Sequence, residues 1–138
     1  MSEFKAHLVD DDEAIRDALA WLLRSRNIAA VAYSDGADFL AAYTGETAGC
    51  VVLDMRMPGM SGLDVFDALI ARSSDLPVIF LTGHGDVPLA VNALKRGAFD
   101  FFEKPFNDNE LANRIGEAME HHARSRAASA SADSVNAR

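Results

Sequence analysis

The chain has 138 residues, enough for one domain with a proper core and too few for two ordinary ones. Asp and Glu outnumber Lys and Arg by 21 to 13, so the formal charge is −8 and there is no basic footprint for nucleic acid. The single cysteine, Cys50, excludes an internal disulfide, and no apolar run could span a bilayer or serve as a signal region; the expectation is a soluble cytoplasmic protein without membrane contact.

His7-Leu8-Val9 reads as a strand that runs into three acids, Asp10-Asp11-Asp12. Asp12 is placed to cap a first helix with a core face of Ile15, Leu19, Leu22 and Leu23, closing near Asn27 with Arg24 and Arg26 in its last turn. Capping accounts for Asp12 and leaves Asp10 and Asp11 without that role. Ile28 to Tyr33 reads as a second strand, and Phe39, Leu40 and Tyr43 mark a short second helix. Cys50-Val51-Val52-Leu53 is a third, buried strand that ends abruptly in Asp54, before the turn-forming Met57-Pro58-Gly59. Within such a run Cys50 reads as a small core residue.

Ser61-Gly62-Leu63-Asp64 resembles a capping box for a third helix, whose core face is Val65, Phe66, Leu69 and Ile70. Pro77 to Leu81 forms a fourth strand ending in Thr82. The fourth helix begins at Asp86-Val87-Pro88 and stops at Gly97. Phe101-Phe102-Glu103 forms a fifth strand ending in Lys104, and Asn107 with Glu110 starts a fifth helix kept in period by Leu111, Ile115, Ala118, Met119 and His122. From Arg124 the period is lost and Ala and Ser dominate. The reading is one domain over residues 1–123, with 124–138 a disordered tail or the start of a linker.

Strand and helix thus alternate five times, which calls for a five-stranded, doubly wound parallel sheet with helices on both faces. In that α/β architecture ligands bind outside the carboxyl ends of the strands. Asp10, Asp11, Asp54, Thr82 and Lys104 all fall at that edge. Each has an ordinary explanation taken alone: a helix cap, a turn residue, a solvated hydroxyl, a surface charge. Together, three carboxylates, a hydroxyl and an ammonium make a site for a divalent cation and a phosphoryl group.

The runs Val9-Asp10-Asp11-Asp12, Leu53-Asp54-Met55-Arg56-Met57-Pro58-Gly59, Leu81-Thr82-Gly83-His84-Gly85-Asp86 and Glu103-Lys104-Pro105-Phe106 resemble the receiver domains of bacterial two-component response regulators. The resemblance covers roughly residues 5–123. It is strongest to regulators of the FixJ type, with the DctD type second, and implies the flavodoxin-like receiver fold.

It also implies roles. Asp54 would accept a phosphoryl group from a sensor histidine kinase, with catalysis limited to the protein's own phosphoryl transfer and hydrolysis. Mg²⁺ would be held directly by Asp11, Asp54 and the backbone carbonyl of Arg56, and through water by Asp10. Lys104 and Thr82 would receive phosphoryl oxygens, and the bond between Lys104 and Pro105 would be cis. Thr82 and Phe101 would form the switch, and the fourth helix and fifth strand a homodimer face when phosphorylated. DNA would be reached only through an output domain that this chain does not contain, to control transcription. Arg56 and His84 flank the path of a hydrolytic water, and are expected to tune phosphoryl lifetime.

Other readings are weaker on the residues themselves. Phosphatases of the haloacid-dehalogenase class need an acid two residues after the nucleophile, and Arg56 stands there. A pseudo-receiver without chemistry does not need the full set of site residues. Flavin binding lacks a phosphate-cradling loop after the first strand.

Overall fold

Five short apolar runs pair in parallel in one sheet of order β2-β1-β3-β4-β5: β1 Phe4–Val9, β2 Ala30–Tyr33, β3 Ala48–Asp54, β4 Val78–Thr82 and β5 Asp100–Glu103. The helices are α1 Glu13–Ser25, α2 Gly36–Ala42, α3 Gly62–Ala71, α4 Val87–Lys95 and α5 Asp108–Asn136, and a 3-10 turn, His84–Asp86, leads into α4. This computed structural model describes the backbone of residues 4–136 and the side chains of residues 4–128. Among the described residues no helix is long and apolar enough to cross a membrane.

β3 and β4 are buried at every position, because helices cover both faces of the sheet. Successive side chains of a strand point to opposite faces, and the two cores divide accordingly. Val51, Leu53 and Phe80 pack with Phe39 of α2, Phe66 and Leu69 of α3, and Ala90 and Ala93 of α4. Cys50, Val52, Ile79 and Leu81 pack with Leu19 and Leu23 of α1 and Leu111 and Ile115 of α5. Cys50 is fully buried there, and burial pushes its thiol up to about 12, so it is a core residue.

The predicted caps form. Asp12 accepts from the Ala14 amide at 2.9 Å, Ser61 and Asp64 exchange the reciprocal bonds of a capping box, and Asn107 accepts from the Glu110 amide at 2.9 Å. The second strand starts later than expected. Asn27 takes a positive φ of 60°, and the Ile28 amide donates back to the Leu23 carbonyl, so residues 27–28 close α1 and pairing begins at Ala30.

The stretch from residue 124, expected as a disordered tail or the start of a linker, continues α5 as far as Asn136. Alanine favours helix without needing a buried stripe, so loss of period there did not mean loss of helix. Tertiary contact helps as well. Arg126 donates to both carboxylate oxygens of Asp75, at 3.0 and 3.2 Å, and to the carbonyls of Gly45 and Thr47.

Candidate functional site

Register builds the site. Val9 lies opposite Leu53 in the β1–β3 pairing, so Asp10 and Asp54 leave adjacent strands side by side. Thr82 lies opposite Glu103 in the β4–β5 pairing, which puts Lys104 one residue beyond the same edge. The Lys104 amide donates to the Thr82 carbonyl at 2.8 Å, and the bond between Lys104 and Pro105 is cis. Behind Asp54 the chain turns tightly: the Gly62 amide donates to the Met55 carbonyl, and a Cβ at residue 62 would collide with the Asp54 carbonyl. Glycine is required there by that close approach.

Carboxylate oxygens of Asp10, Asp11 and Asp54 all lie within 4.8 Å of one another. Asp10 and Asp54 are buried and Asp11 is exposed. Lys104 Nζ stands 3.4 Å from Asp54 Oδ1 and 3.5 Å from Asp10 Oδ2. The Asp12 amide donates to Asp10 at 2.9 Å, Arg16 of α1 donates to the Asp10 carbonyl at 2.7 Å, and the Arg56 amide donates to Asp54 Oδ1 at 3.3 Å.

Burial raises the Asp54 carboxyl to about 6; the neighbouring Asp10 charge pushes the same way, while Lys104 and the Arg56 amide oppose it. Burial also raises Asp10, against the Asp12 amide and Lys104. The site is therefore short of positive charge. Three converging hard oxygen donors with one ammonium beside them fit a hard divalent cation.

The other expected residues are placed as follows. Thr82 is fully buried and its hydroxyl donates to the Gly83 carbonyl at 3.1 Å. Phe101 is partly buried against the core on the α2–α3–α4 side. Arg56 and His84 have exposed side chains but are not loose: Arg56 holds Asp86, and His84 Nδ1 is 2.9 Å from Glu103 Oε2. Sequence reasoning missed Arg16, Glu103 and Asp86 as parts of this edge. Asp86 is an acid at the start of a helix, and that pattern is indistinguishable from an ordinary cap.

The described architecture has counterparts among known proteins. The family model for the response regulator receiver domain matches residues 6–116. The C4-dicarboxylate transport transcriptional regulatory protein DctR of Rhodobacter capsulatus is 54% identical over 86% of this chain and 61% of its own length. The transcriptional regulatory protein FixJ of Bradyrhizobium diazoefficiens is 46% identical over 82% of this chain and 55% of its own. This chain thus spans little more than half the length of such relatives. Among solved structures, FixJ-N superposes with a TM-score of 0.78 at 41% identity, covering 88% of this chain and 97% of that one. Full-length FixJ from B. japonicum gives 0.83 at 40% identity, covering 99% and 68%. The chain belongs to the response regulator receiver family and is a receiver domain of the two-component type.

Proposed function

We propose that Asp54 is the phosphoacceptor of this receiver and that a sensor histidine kinase is its donor. One observation carries this: Asp54 ends the central strand β3, between Asp10 after β1 and Thr82 at the end of β4, inside the acid cluster and 3.4 Å from the Lys104 ammonium. An Asp54 oxygen attacks phosphorus, the P–N bond to the donor imidazole breaks, and the imidazole keeps the electron pair and takes up a proton. The product is an acyl phosphate on Asp54. Lys104 is positioned to receive a phosphoryl oxygen, and the buried Thr82 hydroxyl can exchange its Gly83 partner for another.

Asp10, Asp11, Asp54 and the Arg56 carbonyl would hold Mg²⁺. When bound, the ion neutralises the crowded carboxylates and the charge of the transferring group. Turnover of external phosphate esters is disfavoured, because the side chain two residues after Asp54 is a cation engaged by Asp86 and cannot serve as a general acid. The relatives are named as transcriptional regulators, and in a longer protein this receiver would control a DNA-binding output.

Incubation with acetyl phosphate and Mg²⁺ tests the assignment. Intact mass should rise by one phosphoryl group in the wild type and stay unchanged in Asp54→Asn. A retained shift, mapped to another residue, overturns it.

A further inference from the structure

The turn between β4 and α4 is gripped from both sides. From the β3–α3 loop, Arg56 donates from Nε and Nη2 to the two carboxylate oxygens of Asp86, at 2.8 and 2.7 Å. From β5, Glu103 meets His84 at 2.9 Å. The Arg56–Asp86 pair is bidentate, the strongest and most directional form of such a contact.

Three further observations make this pair more than a surface ion pair. Asp86 stands at the N-cap of α4, yet its side chain makes no capping bond, since both oxygens are turned to Arg56. Its carboxylate is only 10% exposed while the Arg56 side chain is 76% exposed, so Asp86 depends on this partner and Arg56 is free to leave. The amide of Arg56 itself donates to Asp54 Oδ1. One residue therefore touches both the acceptor carboxylate and the root of α4.

Charge balance gives the direction of the change. With a divalent cation bound, the carboxylates of Asp10, Asp11 and Asp54 would be balanced by that ion and Lys104. A phosphoryl group replaces one negative charge on Asp54 by about two. The surplus has no partner in the site, and Arg56 is the cation already attached to Asp54 through its backbone.

We propose that the Arg56–Asp86 pair is a clasp that holds the first turn of α4 in its unphosphorylated position, and that phosphorylation opens it by drawing the Arg56 guanidinium onto the phosphoryl group. The proposal rests on Asp54 being the phosphoacceptor. Release leaves Asp86 to cap α4 or to turn to water, and α4 moves with its exposed Leu89 and Val91.

The test is amide hydrogen exchange of the whole chain over residues 86–91, with and without beryllofluoride and Mg²⁺. In the wild type, beryllofluoride should speed exchange there about tenfold, the change expected when a charge-assisted pair is lost. Asp86→Asn and Arg56→Gln should each show that faster exchange without beryllofluoride and respond to it by less than about twofold. Asp86→Glu, which keeps the carboxylate, should recover protection. Wild-type protection in either open variant overturns the clasp, as does a full beryllofluoride response in Asp86→Asn or none in the wild type. Should Asp86→Asn fold poorly, Arg56→Gln decides, since it alters only an exposed side chain. Acetyl phosphate labelling of Asp86→Asn separates the two claims: labelling with unchanged exchange sinks the clasp alone, whereas labelling that survives Asp54→Asn sinks the phosphoacceptor reading.

Discussion

The Gly49 amide donates to Nδ1 of His122 at 3.0 Å, from the start of β3 to a fully buried imidazole on α5. An accepting Nδ1 requires the neutral ring, with its proton on Nε2. Nε2 lies 3.1 Å from Asp75 Oδ1, but off the line of a hydrogen bond. Gly49 has φ 117° and packs against the Lys5 backbone, so no other residue could present its amide in this way. Burial lowers the His122 pKa, against the attraction of Asp75 and aided by Arg126 and His121.

A folded value below the usual 6.5 means that this contribution is complete above about pH 6.5 and is lost as pH falls through the folded value. His122→Phe, which leaves the Gly49 amide unpaired, should cost about 1–3 kcal/mol at pH 7.5. The gap to wild type should narrow at pH 5.5. Urea denaturation at the two pH values measures both, and an equal gap at each contradicts the neutral-ring account.

Asp54 has the opposite sign. Its folded value of about 6 exceeds the ordinary 3.8, so in metal-free buffer its contribution is complete below about pH 4 and is lost as pH rises through 6. Asp54→Asn should therefore be more stable than wild type at pH 7.5 in a chelator, by roughly 1–2 kcal/mol after allowance for solvent at the open rim. At pH 4 the two melting curves should converge. A persistent difference at pH 4 would point to packing instead of charge.

Mg²⁺ should reverse that cost. At about a hundredfold excess over its dissociation constant the ion should stabilise wild type by about 2.7 kcal/mol. Asp11→Ala should lose most of this gain while melting higher than wild type without metal, because it thins a cluster of three carboxylates. Thermal unfolding across a Mg²⁺ titration is the measurement. An unchanged titration would remove Asp11 from the ligand set.

Arg56 and His84 pair with Asp86 and Glu103 at the site edge, and from there their bulk would obstruct water on its way to Asp54. Arg56→Asn and His84→Ala should each shorten phosphoryl lifetime by roughly threefold while still allowing phosphorylation. Decay of radiolabelled protein after donor removal gives the rate. Identical decay in all three proteins would make both side chains bystanders.

Phosphorylation should also be read at α4 and β5. Thr82 is buried at the site edge and Phe101 packs in the adjacent core, while Leu89 and Val91 of α4 are about 40% exposed. Beryllofluoride with Mg²⁺ should shift the protein from monomer toward dimer, and Thr82→Ala should weaken the shift at least several-fold, by loss of the hydroxyl that would tie the phosphoryl group to the switch. Sedimentation velocity showing one unchanged mass well above micromolar concentration would exclude the dimer and leave the phosphoacceptor assignment intact.

The alternation of strand and helix, the caps at Asp12, Ser61 and Asn107, and the delivery of Asp10, Asp54, Thr82 and Lys104 to one edge were legible in the chain, because hydrophobic period and turn chemistry are local properties. The edge itself followed from the rule that parallel strands end together at one side of the sheet. What only the tertiary structure decided were partnerships between residues far apart in sequence. Arg56 with Asp86, His84 with Glu103, Arg16 with the Asp10 carbonyl and His122 with Gly49 each depend on register and loop height. A one-residue slip of β5, for example, would turn Glu103 to the opposite face and away from His84. The helical continuation beyond residue 123 belongs to the same class: Arg126 lies in an Ala- and Ser-rich stretch without period until folding brings Asp75 and two loop carbonyls within its reach.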